Sequence, residues 1–301
     1  MTLDNRSTSQ RRNLTDEALI QEVLESFSHA ESPRFQAIMQ ALIRHLHDFL
    51  REVNLTECEW HQAITFLTNT GQISTEKRQE FILLSDTLGA SMQVIGMNNK
   101  KADGATEATV FGPFYVKDSP HYQNGDDIAN GAPGDPCFVE GSVCALDGSP
   151  IPGALIEIWQ ADEDGLYDVQ KPSLSAAAAR GQLLTDAEGR FYFRTVSPEP
   201  YPIPSDGPVG DLLRAARRSP MRPAHIHFRI QAAGYETVTT HVFKAGDPYI
   251  DSDAVFGVKD SLIAQFHRVE HGHAPDGTRL SEPFWTMQYD FVLMPSATHE
   301  R

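Results

Sequence analysis

The chain has 301 residues, with 41 Asp or Glu against 25 Lys or Arg, and its formal net charge is −16. Such an excess of negative charge disfavours binding to nucleic acids and to anionic membrane surfaces. No apolar run approaches membrane-spanning length, and the polar start of the chain lacks the apolar stretch of a signal peptide.

The three cysteines, Cys58, Cys137 and Cys144, show no metal-ligand spacing. An odd number of such thiols is typical of a reducing cytoplasm, where cysteines mostly serve as small apolar residues. We therefore expect a cytoplasmic protein in which each cysteine is buried and unreactive.

The first part of the chain is predicted to be helical, because apolar residues recur at helical spacing from about Glu17 to Met97. A break is predicted over 54–57 and a further helix over 78–92, with Gly71 and Gly89 as interruptions. The clearest apolar series is Phe35, Ile38, Met39, Leu42, Ile43, Leu46, Leu50 and Val53. This apolar surface exceeds what a short helical segment can bury within itself and indicates a partner subunit.

After Asn98 the sequence becomes polar and turn-prone, and we place a domain boundary near residue 104. Beyond it, β-branched and aromatic runs of strand length alternate with turn residues. These runs are 138–144, 154–160, 190–196, 224–230, 237–243 and 285–293. The predicted fold class is α+β, with a helical domain over 1–104 and an antiparallel β-sandwich over 105–301.

A pair of histidines stands out in one predicted strand. Alternation along 222–230 places His225 and His227 on one face and apolar residues on the other, so the two imidazoles converge. Imidazoles in this arrangement can hold a metal ion, although two polar residues on a solvated face would give the same spacing.

Two other histidine pairs have the same spacing in less favourable settings. His45 and His47 lie in a helical segment, where residues two apart do not face each other. His271 and His273 lie in a stretch rich in Gly, Pro and Asp, which predicts a solvated loop. We expect neither pair to bind metal.

Two tyrosines upstream of the histidine strand have unusual surroundings. Tyr167 follows Gly165 after an acidic turn, and Tyr201 lies between two prolines that restrict its backbone. A restrained tyrosine suits a ligand role, but most tyrosines only pack. The acidic run 162–164 lacks the spacing of a calcium loop and is predicted to be a solvated turn.

Together these segments resemble the intradiol ring-cleavage dioxygenases, in order and at similar spacing over nearly the whole chain. The matching segments are 112–115, 158–167, 201–204 and 222–227. Within that family the chain looks most like the hydroxyquinol 1,2-dioxygenase branch, on segments 110–114, 168–170 and 251–258. Chlorocatechol enzymes share part of this spelling, and His241 stands where catechol enzymes carry a glutamine.

The resemblance implies one Fe(III) per subunit, held by Tyr167, Tyr201, His225, His227 and a hydroxide. Two phenolates and one hydroxide offset three positive charges, which avoids burying an uncompensated ion. By the same resemblance Tyr201 is released by the substrate and acts as a base, while Arg222 stabilises negative charge on the ring.

The resemblance also names residues around the substrate ring. They are Leu83, Asp86, Val110, Gly112, Pro113, Phe114, Ile203 and Pro204. Asp86 is expected to accept a hydrogen bond from a third ring hydroxyl, although a solvated helix residue is the alternative.

The implied reaction is ring opening of hydroxyquinol by O2 between adjacent hydroxyls, giving 3-hydroxy-cis,cis-muconate or its tautomer maleylacetate. Catechol or chlorocatechol cleavage is the alternative within the family. An alternative of a different class is a transthyretin-like binding module, which has no need of the two tyrosines and two histidines together. The resemblance further implies a homodimer through the helical domain, with a phospholipid at the interface.

Overall fold

The computed structural model describes residues 12–296 except Lys77, Pro172 and Asp276. Its helices are α1 (Asp16–Ser26), α2 (Pro33–Glu52), α3 (Glu57–Ile73), α4 (Glu80–Thr87), α5 (Ala90–Asn98) and α6 (Pro208–Ala215). The polar start of the chain lies mostly outside the described residues. Among those described, no helix has both the length and the apolar character needed to cross a membrane.

Local sequence signals set the ends of the first helices. The Thr15 and Ser32 hydroxyls accept hydrogen bonds from the first turns of α1 and α2. Thr56 and Glu59 bond reciprocally at the start of α3, and Asn54 in the preceding break adopts a φ of 49°. The break over 54–57 is therefore confirmed.

The predicted interruption at Gly89 is confirmed, because the structure forms two helices in the predicted 78–92 segment, α4 and α5. Gly89 separates them with a φ of 73°, a left-handed conformation that costs glycine little. Gly71, predicted as an interruption, lies within α3.

The strands follow from residue 136 onward. They are β1 (Pro136–Ala145), β2 (Leu155–Gln160), β3 (Arg180–Leu184), β4 (Arg190–Val196), β5 (Tyr201–Pro202), β6 (Met221–Arg222), β7 (His225–Gln231), β8 (Val238–Lys244), β9 (Ile263–Ala264), β10 (Phe266–Val269), β11 (Gly272–His273), β12 (Arg279–Leu280), β13 (Phe284–Gln288) and β14 (Phe291–Leu293). Five of them form a sheet in the order β3-β2-β7-β8-β9. A second five-stranded sheet has the order β10-β13-β1-β14, with β4 also paired to β1.

One buried apolar cluster takes side chains from both large sheets. Ile156 and Ile158 of β2 and Phe228 of β7 lie in it together with Val139 of β1 and Phe193 of β4. Because alternate residues of a strand point to opposite faces, burying one face of β7 here fixes which residues occupy the other face.

The sheets are mixed and not purely antiparallel, which corrects the prediction. β1 runs parallel to β13 and β14, and β8 runs parallel to β9. The predicted strand over 285–293 is also interrupted at Tyr289 and Asp290. There the Asp290 carboxylate accepts hydrogen bonds from the Ser142 backbone and hydroxyl, in place of a regular backbone pairing.

Contacts divide the chain into two compact units between Thr68 and Asn69. The predicted boundary near residue 104 falls in the second unit, between the last N-terminal helix and the first strand. Leu83 and Leu84 of α4 belong to a buried cluster with residues of α6 and the loop before β9, which places this helix in the second unit.

The cysteine prediction holds for one residue and fails for another. Cys137 is buried and Cys144 partly buried, and burial raises the pKa of Cys137 to about 12. Cys58 is exposed on α3, which corrects the expectation that it is buried.

Candidate metal centre and substrate cleft

Strand β7 brings the two histidines to one point. His225 and His227 are each 1% exposed, and their Nε2 atoms lie 3.2 Å apart. Ile226 and Phe228, on the opposite face, are fully buried in the apolar cluster of the sheets. The side-chain alternation predicted from the sequence therefore directs the two imidazoles to the same point.

Both tyrosines meet this histidine pair. The Tyr167 hydroxyl lies 2.9 Å from His227 Nε2 and 3.0 Å from the Tyr201 hydroxyl. The Tyr201 hydroxyl in turn lies 3.5 Å from His225 Nε2. Tyr201 is placed by the short pairing of β5 with β6, and Tyr167 directly precedes a 3-10 turn over 168–170. The structure thus gathers the four residues that the sequence singled out.

The spacing of these four atoms fits a metal ion. Ligand atoms about 2.0–2.1 Å from one metal are about 2.9 Å apart at a right angle and about 3.3 Å apart at the tetrahedral angle. The observed separations run from 2.9 to 3.5 Å. His225 Nδ1 lies 2.7 Å from the Pro223 carbonyl, which fixes its proton there and leaves the Nε2 lone pair facing the centre.

Burial controls the charge of the four side chains. It lowers the pKa of His225 to about 3, helped by Arg222, and it holds the pKa of His227 well below its usual value. Burial likewise raises the pKa of Tyr167 and of Tyr201. Two neutral imidazoles and two phenols therefore converge, and a bound cation is the agent that can deprotonate phenols at such a site.

A third histidine lies beside them. The possible ligand atoms of His225, His227 and His241 all lie within 4.8 Å of one another, and His241 faces His227 across the pairing of β7 with β8. However, His241 Nδ1 lies 3.4 Å from Arg222 Nη2, so this nitrogen accepts from a guanidinium. His241 Nε2 is buried and has no hydrogen-bond partner among the described residues.

Arg222 is buried next to the centre. Its Nη1 lies 3.2 Å from His225 Nε2, and β6, which carries it, pairs with the strand of Tyr201. A buried guanidinium at this place is an electrostatic partner for any anion that forms beside the centre. Arg222 is 3% exposed, so it does not form a surface salt bridge.

A cleft of about 840 Å³ is lined by Leu166 and Pro202, the chain neighbours of the two tyrosines. Five of the eight predicted substrate residues line it, namely Leu83, Pro113, Phe114, Ile203 and Pro204. Val110 lies behind it in a buried cluster with Leu83 and Ile203. Gly112, at a φ of 75°, is so near His227 that an added Cβ would lie 3.0 Å from the ring. A side chain at this position would press on the candidate ligand.

Asp86 is buried on α4, at 4% exposure, which excludes the solvated helix reading. Burial raises the pKa of its carboxyl, while Ser91 and Arg222 lower it. Such a carboxyl is an acceptor for a hydroxyl that enters the same region.

Comparison with known proteins gives the family. Residues 110–295 match the family described as Dioxygenase, and residues 32–106 match the Catechol dioxygenase N terminus. The chain belongs to the intradiol ring-cleavage dioxygenases.

Individual relatives agree with this placement. The dioxygenase is 54% identical to the 6-chlorohydroxyquinol 1,2-dioxygenase of Cupriavidus pinatubonensis, over 92% of this chain and 97% of the relative. It is 52% identical to the hydroxyquinol 1,2-dioxygenase of Nocardioides simplex, over 96% of this chain and 98% of that relative.

Solved structures agree as well. A hydroxyquinol 1,2-dioxygenase from Pseudomonas putida superimposes with a TM-score of 0.87 at 45% identity, covering 93% of this chain and 99% of that one. A catechol 1,2-dioxygenase from Pseudomonas arvilla superimposes with a TM-score of 0.83 at 29% identity, covering 96% of this chain and 94% of that one. The chain is therefore an enzyme that most resembles the hydroxyquinol branch.

Sequence reasoning missed several residues that support the dioxygenase centre. Trp159 of β2 stacks on His227, with ring centroids 4.7 Å apart and planes 17° from parallel. The buried Arg180 pairs with Asp168 at 2.6 Å and donates to the Phe114 carbonyl at 2.8 Å, which ties the turn after Tyr167 to the cleft wall. Trp159 is far from His227 in sequence, as Arg180 is from Phe114, so spacing gave no signal for these two contacts.

The other histidine pairs do not meet the centre. His45 is exposed and His47 partly exposed on α2. His271 and His273 are also exposed, but His273 belongs to β11, which pairs with β12 and corrects the predicted loop.

The predicted solvated turn over 162–164 is confirmed for Glu163 and Asp164, which are exposed, and corrected for Asp162, which is buried at 4% exposure. Lys171 compensates its charge by an ion pair, and the same ammonium lies 2.8 Å from Asp164.

Proposed function

We propose that this enzyme uses ferric iron to open the ring of hydroxyquinol between adjacent hydroxyls, giving 3-hydroxy-cis,cis-muconate or its tautomer maleylacetate. The observation that carries the proposal is the convergence of two buried phenols and two neutral imidazoles beside a buried arginine. The substrate class rests on relatives named for hydroxyquinol and 6-chlorohydroxyquinol at 52% and 54% identity.

One Fe(III) per subunit would be held by Tyr167, Tyr201, His225 and His227. Two phenolates and one hydroxide offset its three charges, which suits a site whose protein groups are all buried. When bound, the iron would supply the Lewis acidity that favours the deprotonated diol and makes its ring reactive toward O2.

Tyr201 and Arg222 act on the substrate in this proposal. Tyr201 takes a proton from a ring hydroxyl as the diol enters, which makes it the base of the reaction. Arg222 Nη1, beside His225, stabilises the negative charge that then develops on the ring, and it does so in a site that excludes water. The carbon-carbon bond between the two hydroxyl-bearing carbons breaks, and both atoms of O2 enter the product.

The cleft would hold the ring between apolar walls. Leu83, Pro113, Phe114, Ile203 and Pro204 form these walls. Val110 packs behind Leu83 and Ile203, Gly112 lies beside the His227 ring, and the buried Asp86 would supply a polar contact. An acceptor for a third hydroxyl favours a triol over catechol, because catechol leaves the buried carboxyl without its partner.

We further propose that the two large sheets form a β-sandwich, since apolar residues of both lie in one buried cluster. A helical domain ending near residue 104 would form a homodimer with a phospholipid at the interface. The apolar residues of α2 that are exposed in the single chain support the dimer, and a cytoplasmic location fits the free thiols.

The test is turnover by the iron-loaded protein. Hydroxyquinol, 6-chlorohydroxyquinol and catechol are each supplied with O2, and ring opening is followed by loss of the substrate absorption and by oxygen uptake. We expect hydroxyquinol to be cleaved with a higher kcat/KM than catechol. Faster turnover of catechol contradicts the substrate assignment, and a colourless protein that takes up no iron contradicts the metal assignment.

Replacing Tyr201 tests whether its side chain is a metal ligand and base or only packs in the core. Tyr201→Phe removes one phenolate and the proposed base, so we expect a loss of kcat of about 100-fold or more, the upper part of the range for general-base groups. The visible absorption of iron-bound tyrosinate should also shift. Tyr192→Phe, at an exposed position on β4, is the matched control and should keep both properties.

A further inference from the structure

We propose that Asp253 is a positioning residue that aims the Arg222 guanidinium at the reacting centre. This inference rests on the proposed function, in which Arg222 stabilises charge on the substrate ring. Asp253 lies in the loop between β8 and β9, outside the metal ligands and the residues predicted around the ring.

The contact between the two side chains fixes one edge of the guanidinium. Arg222 Nε donates to Asp253 Oδ1 at 3.0 Å, and Nη2 donates to Oδ2 at 3.2 Å. Both side chains are buried, with exposures of 4% and 2%. A two-point pairing of planar groups sets orientation as well as distance.

Backbone groups hold the carboxylate in turn. Gly257 N donates to Asp253 Oδ2 at 2.9 Å, and Val255 N donates to Oδ1 at 3.3 Å. Each carboxylate oxygen therefore accepts from one backbone amide and from one arginine nitrogen. Phe256 between these amides has a φ of 59°, a conformation uncommon outside glycine, so the loop is bent to deliver both donors.

Glycine at 257 leaves room for this close approach. An added Cβ would lie 3.2 Å from both Arg222 Nη2 and Asp253 Oδ2. A methyl group there would press directly on the contact between the guanidinium and the carboxylate, and the next nearest atom is His241 Nδ1 at 3.6 Å.

The third guanidinium nitrogen of Arg222, Nη1, is the one left free to act on the substrate. With Nε and Nη2 engaged, Nη1 faces His225 Nε2 at 3.2 Å, which is the side where the ring would bind. Asp86 also lies within electrostatic range of Arg222 and offers a second carboxylate toward which the guanidinium could turn. Asp253 keeps Arg222 on the side of the metal centre and leaves Asp86 available to substrate.

The experiment compares Asp253→Asn with Asp251→Asn, an exposed aspartate two residues earlier in the same loop. Each iron-loaded variant is assayed on whichever diol the wild type cleaves best, and its visible tyrosinate absorption and melting temperature are recorded. We expect Asp253→Asn to lower kcat by about 10- to 100-fold, as misplacement of a catalytic group does. KM, iron content and absorption should change little, and Asp251→Asn should match wild type throughout.

A double-mutant cycle shows whether Asp253 acts through Arg222. In the Arg222→Gln background the added Asp253→Asn change should cost little further kcat. An equal loss in both backgrounds overturns the proposal, as does an unchanged kcat in Asp253→Asn. If Asp253→Asn is not obtained folded, Gly257→Ala takes its place in the cycle and is held to the same outcomes.

Failure of the proposed function is recognised separately. If iron-loaded wild type cleaves no diol, or if Arg222→Gln is fully active, Arg222 has no role for Asp253 to support and both ideas fall. If Arg222→Gln is impaired while Asp253→Asn is not, only the positioning role is overturned.

Discussion

At the scale of single residues, Asp86 is a carboxyl group buried where an apolar side chain would cost less free energy. Its carboxyl is buried near apolar Leu83, and burial raises its pKa above the usual 3.8. Ser91 and Arg222 offset only part of that effect. A polar group retained at such a position is typical of a site that reads a substrate hydroxyl.

Replacing this carboxyl should change substrate preference. In Asp86→Ala a third ring hydroxyl loses its acceptor, which costs about 1–3 kcal/mol for an unsatisfied buried group. We expect kcat/KM for hydroxyquinol to fall by about 10- to 100-fold, since 1.4 kcal/mol is a factor of ten. Catechol, which lacks that hydroxyl, serves as the internal control and should be affected far less. Equal losses on both substrates would show that Asp86 has a structural role only.

The raised pKa also predicts a pH-dependent stability difference. Because the folded-state pKa lies above 3.8, the folded protein binds the proton more tightly, and the stability contributed by protonated Asp86 is lost as pH rises through the folded pKa. Asp86→Asn cannot ionise and avoids this loss. Urea unfolding below pH 3.8 and near pH 7 should therefore show the variant gaining stability relative to wild type at the higher pH. A constant difference across that range would contradict the burial effect.

At the scale of elements, the junction of β13 and β14 is where chain geometry overrides strand propensity. The Tyr289 carbonyl crosses so close to Gly141 of β1 that an added Cβ would lie 1.8 Å from it. Tyr289 N donates to the Glu140 carbonyl, and the Asp290 side chain takes the next backbone donor at Ser142. Glycine in the middle of β1 is therefore required by close backbone approach.

Gly141→Ala should accordingly destabilise the protein. The methyl group cannot be accommodated without moving one of the two strands, and overpacking of this kind costs about 1–3 kcal/mol or more. Gly96→Ala on α5 is the control, because nothing lies within 4 Å of its added Cβ and alanine is the better helix former. Thermal unfolding should show a lower Tm for the first variant and an equal or higher Tm for the second.

The same junction shows what the sequence could predict. Strand alternation along β7 was enough to place His225 and His227 side by side, because period two depends only on local backbone geometry. The interruption at Asp290 depends on its contact with Ser142, 148 residues earlier in the chain. The ion pair of Arg222 likewise depends on Asp253, which lies in another loop. Such partners are chosen by tertiary packing, and only the family resemblance indicated that their segments mattered.

At the scale of the whole molecule, the helical part presents apolar side chains that the single chain leaves uncovered. On α2 the exposed residues follow one another at three- and four-residue spacing, which places them on one face. They are Phe35, Ile38, Leu42, Leu46 and Phe49, and Val53 follows directly after the helix. A net charge of −16 favours solubility through repulsion, so contact between copies needs a local apolar surface of this kind.

A charge placed on that face should prevent self-association. Leu42 is 54% exposed in the single chain, and Leu42→Glu would bury an unpaired carboxylate if the face packs against a second copy. Arg44→Glu introduces the same residue on the opposite side of α2 and serves as the control. Sedimentation velocity should show a dimer for wild type and for Arg44→Glu and a monomer for Leu42→Glu. Because the metal centre is built from residues after position 160, the monomer should still bind iron and show tyrosinate absorption. A dimer that survives Leu42→Glu would place the subunit contact elsewhere.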